Sequence, residues 1–217
     1  MSILAISNLK GGVGKSTIAQ NVALQFALKG VSVCIADTDT EQKTSAKWAT
    51  LRDSGALSVP VYTISPDKVS QEILALKQKF DIVIVDGTPA LTELTTRIII
   101  LSDLVVVPIL PGGGDIWALE NFLERYKEAK VTKESYGGNV DIAVVVNRYN
   151  DRTTLDREVV NAIKEFDIKI LNTKITNRVS YREATISGIS VHDTKDEKAK
   201  QEIEELTKEI ESLLKQP

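Results

Sequence analysis

Two lysines five residues apart bracket a run of glycines near the start of the chain, in Lys10-Gly11-Gly12-Val13-Gly14-Lys15-Ser16-Thr17. Glycines let the backbone curl until successive N–H groups point inward, which suits the oxygens of a phosphate. An apolar run, Ile3-Leu4-Ala5-Ile6, precedes the loop and a helical pattern follows it. Strand, glycine loop and helix is the setting of a phosphate-binding loop, because the helix adds its positive N-terminal end and unpaired N–H donors. In that setting Lys15 reaches the outer phosphates, the Ser16 hydroxyl ligates Mg²⁺, and Thr17 adds a hydroxyl to the phosphates. The amides of Gly11, Gly12, Val13 and Gly14 complete the cradle. One departure stands out: the usual pattern has glycine six residues before the second lysine, and this chain has Leu9 there. It offers Lys10 at the loop mouth instead. The phosphates are already surrounded by Lys15 and the amides, so Lys10 is either a solvated lysine or a cation delivered to a nucleotide on a facing copy. The second role is that of an arginine finger.

Phosphoryl transfer needs the phosphates held, a metal placed and a water aligned. Carboxylates for the last two tasks lie at the ends of apolar runs. Asp86 closes Ile82-Val83-Ile84-Val85 and is the expected Mg²⁺ carboxylate. Asp37 and Asp39 follow Val33-Cys34-Ile35-Ala36 and, two apart on an extended chain, face the same way. One of them braces the metal region and the other orients the attacking water; the plain alternative is a turn that starts the next helix. A fourth polar group, Asn147-Arg148, ends Asp141–Val146.

The elements that must position these groups follow from periodicity. Strands are expected at 2–7, 31–36, 59–64, 81–86, 104–109, 141–146 and 169–175, and helices at 16–29, 44–52, from a cap at Asp67, and through Leu91–Leu101. The helix at 16–29 is expected to bury one stripe, Ala19, Val22, Ala23 and Phe26. Pro111-Gly112-Gly113-Gly114-Asp115 reads as a flexible loop with a capping aspartate, before a helix carrying Trp117, Phe122, Leu123 and Tyr126. Thr153 is expected to cap a helix carrying Leu155, Val159, Ile163 and Phe166. A last helix from about Asp196 to 215 places Ala199, Ile203, Leu206, Ile210 and Leu213 on one stripe. Apolar strands alternating with amphipathic helices imply one α/β domain over 1–217, a doubly wound, mostly parallel sheet with helices on both faces. Ligands of such sheets bind beyond the carboxyl ends of the strands, where all four polar groups lie.

Bulk properties narrow the function. The 217 residues suffice for one two-sided core, and 42% apolar with 5% aromatic content points to a core of aliphatic side chains. A net charge of −3 gives no global basic signature for nucleic acid. The single cysteine, Cys34, sits in a strand pattern, excludes an internal disulfide or iron–sulfur cage, and fits a reducing cytosol. Neither a leader nor a bilayer-spanning run is expected. His192 reads as a surface residue, and Trp48 and Trp117 as packing or interface residues.

Taken together, Lys10–Thr17, Asp37-Thr38-Asp39-Thr40-Glu41-Gln42 and the strand and turn Asp81–Pro89 resemble the ParA/MinD family of deviant Walker A ATPases, a branch of the P-loop NTPase fold. Lys10 matches the family's signature lysine, and Thr40 stands where the family's second box has proline. The resemblance runs along nearly the whole chain, and the compact length is most similar to the small plasmid-partition ATPases of the ParF kind. It implies ATP/ADP with Mg²⁺, slow hydrolysis, and an ATP-sandwich homodimer in which Lys10 contacts the partner's phosphates. It gives the water-positioning role to Asp39, the Mg²⁺ role to Asp86 and an adenine contact to Asn147-Arg148, with Asn147 favoured. It also implies non-specific DNA binding by the dimer, release by a small centromere-binding protein of the ParB or ParG type, and a cytoplasmic, nucleoid-associated location.

For DNA, the stretch 164–182 offers Lys164, Lys169, Lys174, Arg178 and Arg182 against Glu165 and Asp167. Two such patches on one face of a dimer add their free energies. A membrane-positioning ATPase of the MinD kind is the main rival and needs a basic amphipathic terminal helix. The five glutamates of 202–211 argue against stable membrane binding. An electron-transfer ATPase lacks the cysteines. Operator recognition is not expected, because the chain opens directly on its first strand. Positioning of a chromosome, chemoreceptor cluster or microcompartment by a ParA-like ATPase is not separable from plasmid partition on sequence, since the partner sets the cargo.

Overall fold

Strands that are apolar along their whole length need cover on both faces, and alternation decides which residue meets which layer. The computed structural model describes residues 1–53, 55–89, 93–150 and 152–215, with the side chain of Leu155 outside that set. Its elements are β1 (Ser2–Ile6), α1 (Lys15–Leu28), β2 (Val33–Asp37), α2 (Thr44–Leu51), β3 (Val61–Thr63), α3 (Val69–Lys77), β4 (Ile82–Asp86) and α4 (Glu93–Leu101). There follow β5 (Leu104–Ile109), α5 (Gly113–Ser135), β6 (Asp141–Tyr149), α6 (Thr154–Ile163), β7 (Lys169–Ile170), β8 (Ile175–Thr176), α7 (Val179–Ile186) and α8 (Glu197–Leu214). Two single 3₁₀ turns, Pro66–Lys68 and Val191–Asp193, complete the set.

The sheet runs β3-β2-β4-β1-β5-β6-β7, with β8 also pairing β6, and every pairing is parallel. Right-handed crossovers then assign the helices. Ile3, Ala5, Cys34, Val83, Val85 and Val105 face a layer built from α3, α4, α5 and α6, through Ile73, Ile98, Phe122 and Ile163. Their neighbours Leu4, Ile6, Ile35, Ile84 and Val106 face α1, α2, α7 and α8, through Val22, Trp48, Tyr181 and Ile203. Chain order reverses beside β1, so the loops after β1, β2, β4 and β6 converge on one end of the sheet.

Several expectations change. The buried part of α1 is no stripe: Ile18 through Phe26 are all buried, because α8 covers the side turned away from the sheet. Asp67 caps nothing; Pro66 starts a 3₁₀ turn and places Asp67 inside it, ahead of α3. Thr153 stands at the N-cap of α6 but donates its hydroxyl to the Asn150 carbonyl instead of accepting from the helix. The single strand expected at 169–175 is two short ones. Glu209 of α8 accepts the N–H groups of Asn172 and Thr173 at 2.8 and 2.7 Å, which takes that backbone out of the ladder. Helix α7 has no counterpart in the sequence reading, and Leu91, the expected start of α4, lies outside the described residues. Asp196 does cap α8, accepting from the Ala199 N–H at 3.1 Å. His192 is half-buried rather than a surface residue, while Trp48 is 1% exposed and Trp117 71%.

Candidate functional site

The glycine loop leaves β1 and enters α1 with Gly14 at φ +96° as the N-cap, and no side chain caps the helix. The first N–H groups of α1 are therefore donors awaiting a ligand. Glycine at position 14 is required twice over, by its left-handed backbone and because a Cβ there would meet Asn147 Nδ2 at 2.2 Å. Val13 is fully buried and anchors the loop, while Gly11 and Gly12 are exposed.

The two lysines separate sharply. Lys15 is buried, and its ammonium donates to the Lys10 carbonyl at 2.9 Å, across the loop. Burial lowers its pKa, and the charges of Asp86 and Asp39 pull it back up. The Lys10 ammonium instead turns toward the first turn of α5 and pairs with Asp115 at 2.7 Å. Here the sequence reading needs its largest correction. Gly113 and Gly114 are not loop but the first turn of α5, and Gly112 is its N-cap. Asp115 is 3% exposed and accepts both Lys10 and, at 3.4 Å, the Leu110 N–H. Lys10 Nζ thus lies alongside Gly114, 3.9 Å from where a Cβ would stand.

Two carboxylates stand side by side, since Asp37 and Asp86 are register partners at the ends of β2 and β4. Asp37 is fully buried, and its oxygens accept the N–H groups of Asp39 at 3.1 Å and Ala46 at 3.0 Å. It braces the turn into α2. Asp86 is 1% exposed; Oδ2 accepts the Ser45 hydroxyl at 2.7 Å, and Oδ1 is buried with no partner. Burial pushes the Asp86 carboxyl up to about 7, against the pull of Ser45, Ser16 and Lys15. A bare buried oxygen beside Ser16 is what Mg²⁺ would satisfy. No cluster of three or more metal-ligating side chains exists among the described residues. Mg²⁺ keeps waters and phosphate oxygens and takes only one or two protein ligands, which Ser16 and Asp86 could supply. Gly87 follows Asp86 because β4 runs tight against β1: a Cβ there would meet Ser7 Oγ at 2.9 Å.

Asp39 is half-buried and caps its own turn by accepting the Gln42 N–H at 2.9 Å. It lines an open cleft of about 350 Å³ together with Gly11, Gly12, Lys15, Ser16, Thr17 and Arg148. Thr17 also lies 3.3 Å, hydroxyl to hydroxyl, from Thr185 of α7. Asn147 is buried and donates to the Val13 carbonyl at 2.7 Å, so its amide holds the loop. Its exposed neighbour Arg148, at φ +54°, lines both this cleft and a second one beside Ile175, Asn177 and Arg182.

The basic residues of 164–182 fall partly together. Lys164 and Lys174 line one cleft, Lys174 and Arg178 a second, and Arg178 and Arg182 a third that opens on the loop. Lys169 is exposed at the head of β7. Lys174 also packs over the Tyr149 ring, 4.3 Å from its centroid. Arg178 is not free, since Glu202 at 3.1 Å and Asp196 at 3.5 Å neutralise it. Arg152 and Lys198 join the strip from outside the stretch that sequence singled out.

A parallel doubly wound sheet with an uncapped glycine loop, a buried lysine and a strand-end carboxylate defines a phosphate-loop nucleotide-binding protein. Residues 4–191 match the CobQ/CobB/MinD/ParA nucleotide-binding domain, and the chain belongs to that family, the ParA/MinD-type ATPases. Maintenance of carboxysome distribution protein A of Halothiobacillus neapolitanus is 30% identical over 190 residues, covering 87% of this chain and 85% of that protein. The sporulation initiation inhibitor protein Soj of Bacillus subtilis is 26% identical, covering 86% and 88%. Among solved structures, the septum site-determining protein MinD of Pyrococcus horikoshii, complexed with Mg-ADP, superposes with a TM-score of 0.76 at 19% identity, covering 99% of this chain and 97% of that one.

Proposed function

We propose that the chain is a Mg²⁺-dependent ATP hydrolase that works as an ATP-sandwich homodimer, binds DNA without sequence preference, and positions a DNA or protein cargo chosen by a small partner protein of the ParB or ParG type. The observation that carries the reading is the divergence of the two lysines, one buried in its own loop and one turned away from it to Asp115 with its side chain 42% exposed. Lys15, the free N–H groups of α1 and the loop amides hold the phosphates. Magnesium at Ser16 and Asp86 would neutralise charge developing on them. Asp39 orients the attacking water at the open side of the cleft, and Arg148 lies against the base. Lys10 reaches the phosphates of the facing copy after leaving Asp115. The Lys10 end of the pair is 42% exposed, so a phosphate can compete for the ammonium. The 5%-exposed Asp115 side chain is then left without its cation, a cost that the charge of the phosphates must outweigh. Asp115 thereby acts as a parking place for the cation while the protein is alone.

DNA binding belongs to the strip formed by Lys164, Lys174 and Arg182, with Lys169, Arg152 and Lys198 beside it. Arg178 contributes little because its charge is already matched. The carboxysome-distribution relative supports cargo positioning in general, and a nucleoid-bound dimer in the cytoplasm suits a DNA or a protein cargo. The test is sedimentation with and without non-specific DNA, in ATP and in ADP. A dimer that forms and binds DNA only with ATP is expected; a nucleotide-independent monomer would remove the reading.

A further inference from the structure

The helix that follows the carboxylate loop does more than brace Asp37. On its buried face α2 carries only Ser45 and Trp48. Trp48 is 1% exposed and donates its indole N–H to the Ile189 carbonyl at 2.8 Å, and Arg52 on the next turn stacks over the same ring. The helix is thus clamped, and Ser45 sits on the clamped face. Its hydroxyl is fully buried and donates to Asp86 Oδ2 at 2.7 Å, since an ionised carboxylate only accepts. Gln20 of α1, also buried, donates its amide to Ser45 Oγ at 3.3 Å. With the Gln20 amide donating, its own Oε1 being buried without a partner, the single hydroxyl proton of Ser45 is directed to Asp86.

We propose that Ser45, oriented by Gln20, is a positioning residue for the metal carboxylate: it fixes the rotation of Asp86 so that Oδ1, and not Oδ2, faces Ser16 and the Mg²⁺ of a bound nucleotide. This rests on the Mg²⁺-nucleotide reading above. Asp37 cannot replace Asp86, because backbone N–H groups accompany both of its oxygens. The same first turn of α2 therefore separates two adjacent carboxylates, one saturated by amides and one left with a bare oxygen. Hydrogen-bond partners behind a metal ligand typically matter by 10–100-fold in metal affinity.

The test measures binding of a fluorescent ATP analogue to the full chain with Mg²⁺ varied, alongside melting temperature and the Mg²⁺ dependence of hydrolysis. Wild type, Ser45→Ala, Ser45→Thr and Gln20→Leu are compared. For Ser45→Ala the expected result is Mg²⁺-free nucleotide affinity within about twofold of wild type, with half-saturating Mg²⁺ raised by about tenfold or more. Ser45→Thr, which keeps the hydroxyl, restores the wild-type Mg²⁺ curve, and Gln20→Leu shifts it in the same direction by less. A Ser45→Ala curve identical to wild type overturns the proposal, as does an equal loss of Mg²⁺-free and Mg²⁺-loaded binding, which would be a merely structural effect. Wild-type binding that ignores Mg²⁺ would instead defeat the underlying nucleotide reading.

Discussion

The two halves of the site are built to different standards. On the β2–β4 side, Asp37, Asp86, Ser45, Gln20 and the first turn of α2 form one buried network, and its one carboxylate oxygen without a hydrogen-bond partner is Oδ1 of Asp86. On the β5–α5 side, the charged contact to the loop is the Lys10–Asp115 pair, whose lysine side chain is 42% exposed. A buried network holds its geometry, because every donor it loses leaves an unsatisfied acceptor behind. A pair whose lysine end is open to solvent can give that lysine up to a stronger anion. The rigid half suits metal and phosphate placement, and the labile half suits a residue that must change partners.

Breaking the phosphate grip of the loop that joins the two halves should have the largest effect on nucleotide affinity. Lys15→Ala is expected to lower nucleotide affinity by about a hundredfold or more, since it removes a buried, charge-assisted hydrogen bond to phosphate. Affinity within about threefold of wild type, read by isothermal calorimetry, would contradict the buried-lysine assignment. In the labile half, Asp115→Asn keeps the shape of the α5 start and removes the charge that holds Lys10. Light scattering should then find dimer at lower ATP, by at least about fivefold, because Lys10 of the wild type must leave a buried carboxylate to reach the facing copy. An unchanged or higher ATP requirement would deny Asp115 its parking role.

Smaller effects are expected at the basic strip. Replacing Lys164 and Lys174 by alanine should flatten the salt dependence of DNA binding by about 0.9 for each DNA phosphate no longer neutralised, whereas Arg178→Ala should leave the slope unchanged. The reverse ranking would show that the ion pairs at Arg178 open in the dimer. The smallest effect is at His192, whose pKa is lowered by burial from 6.5. The unfolded chain binds a proton there before the folded one does, so stability is lost as pH falls through 6.5 toward the folded value. His192→Asn should remove that loss and leave the opposite trend of Asp86, which gains stability as pH falls below about 7. The mutant and wild-type melting curves should therefore diverge below pH 6.5; coincident curves would assign the acid loss elsewhere.

Much of this was legible in the sequence, for identifiable reasons. The central strands β1, β2, β4 and β5 are nearly continuous apolar runs, and β5 agrees with its predicted ends, Leu104 and Ile109. The glycine loop and the strand-end aspartates declare themselves by local spacing. What escaped depends on long-range contacts. Nothing near Ser45 announces that it meets Asp86 across 41 residues, and nothing near Asp115 announces a partner 105 residues back. Three consecutive glycines read as loop, yet two of them form the first turn of α5, where Asp115 accepts Lys10 and the Leu110 N–H. Likewise Arg178 read as a free cation because its partners, Asp196 and Glu202, arrive with the last helix.

The outward lysine carries the account, and Lys10→Ala tests it most directly. Nucleotide affinity by calorimetry and mass by light scattering should be measured on the same sample in ATP. The account predicts affinity within about threefold of wild type, because Lys10 serves the other copy, together with loss of the ATP dimer and of about 10³-fold or more in hydrolysis. A mutant that dimerises and hydrolyses like wild type, or one that simply fails to bind ATP, would contradict it.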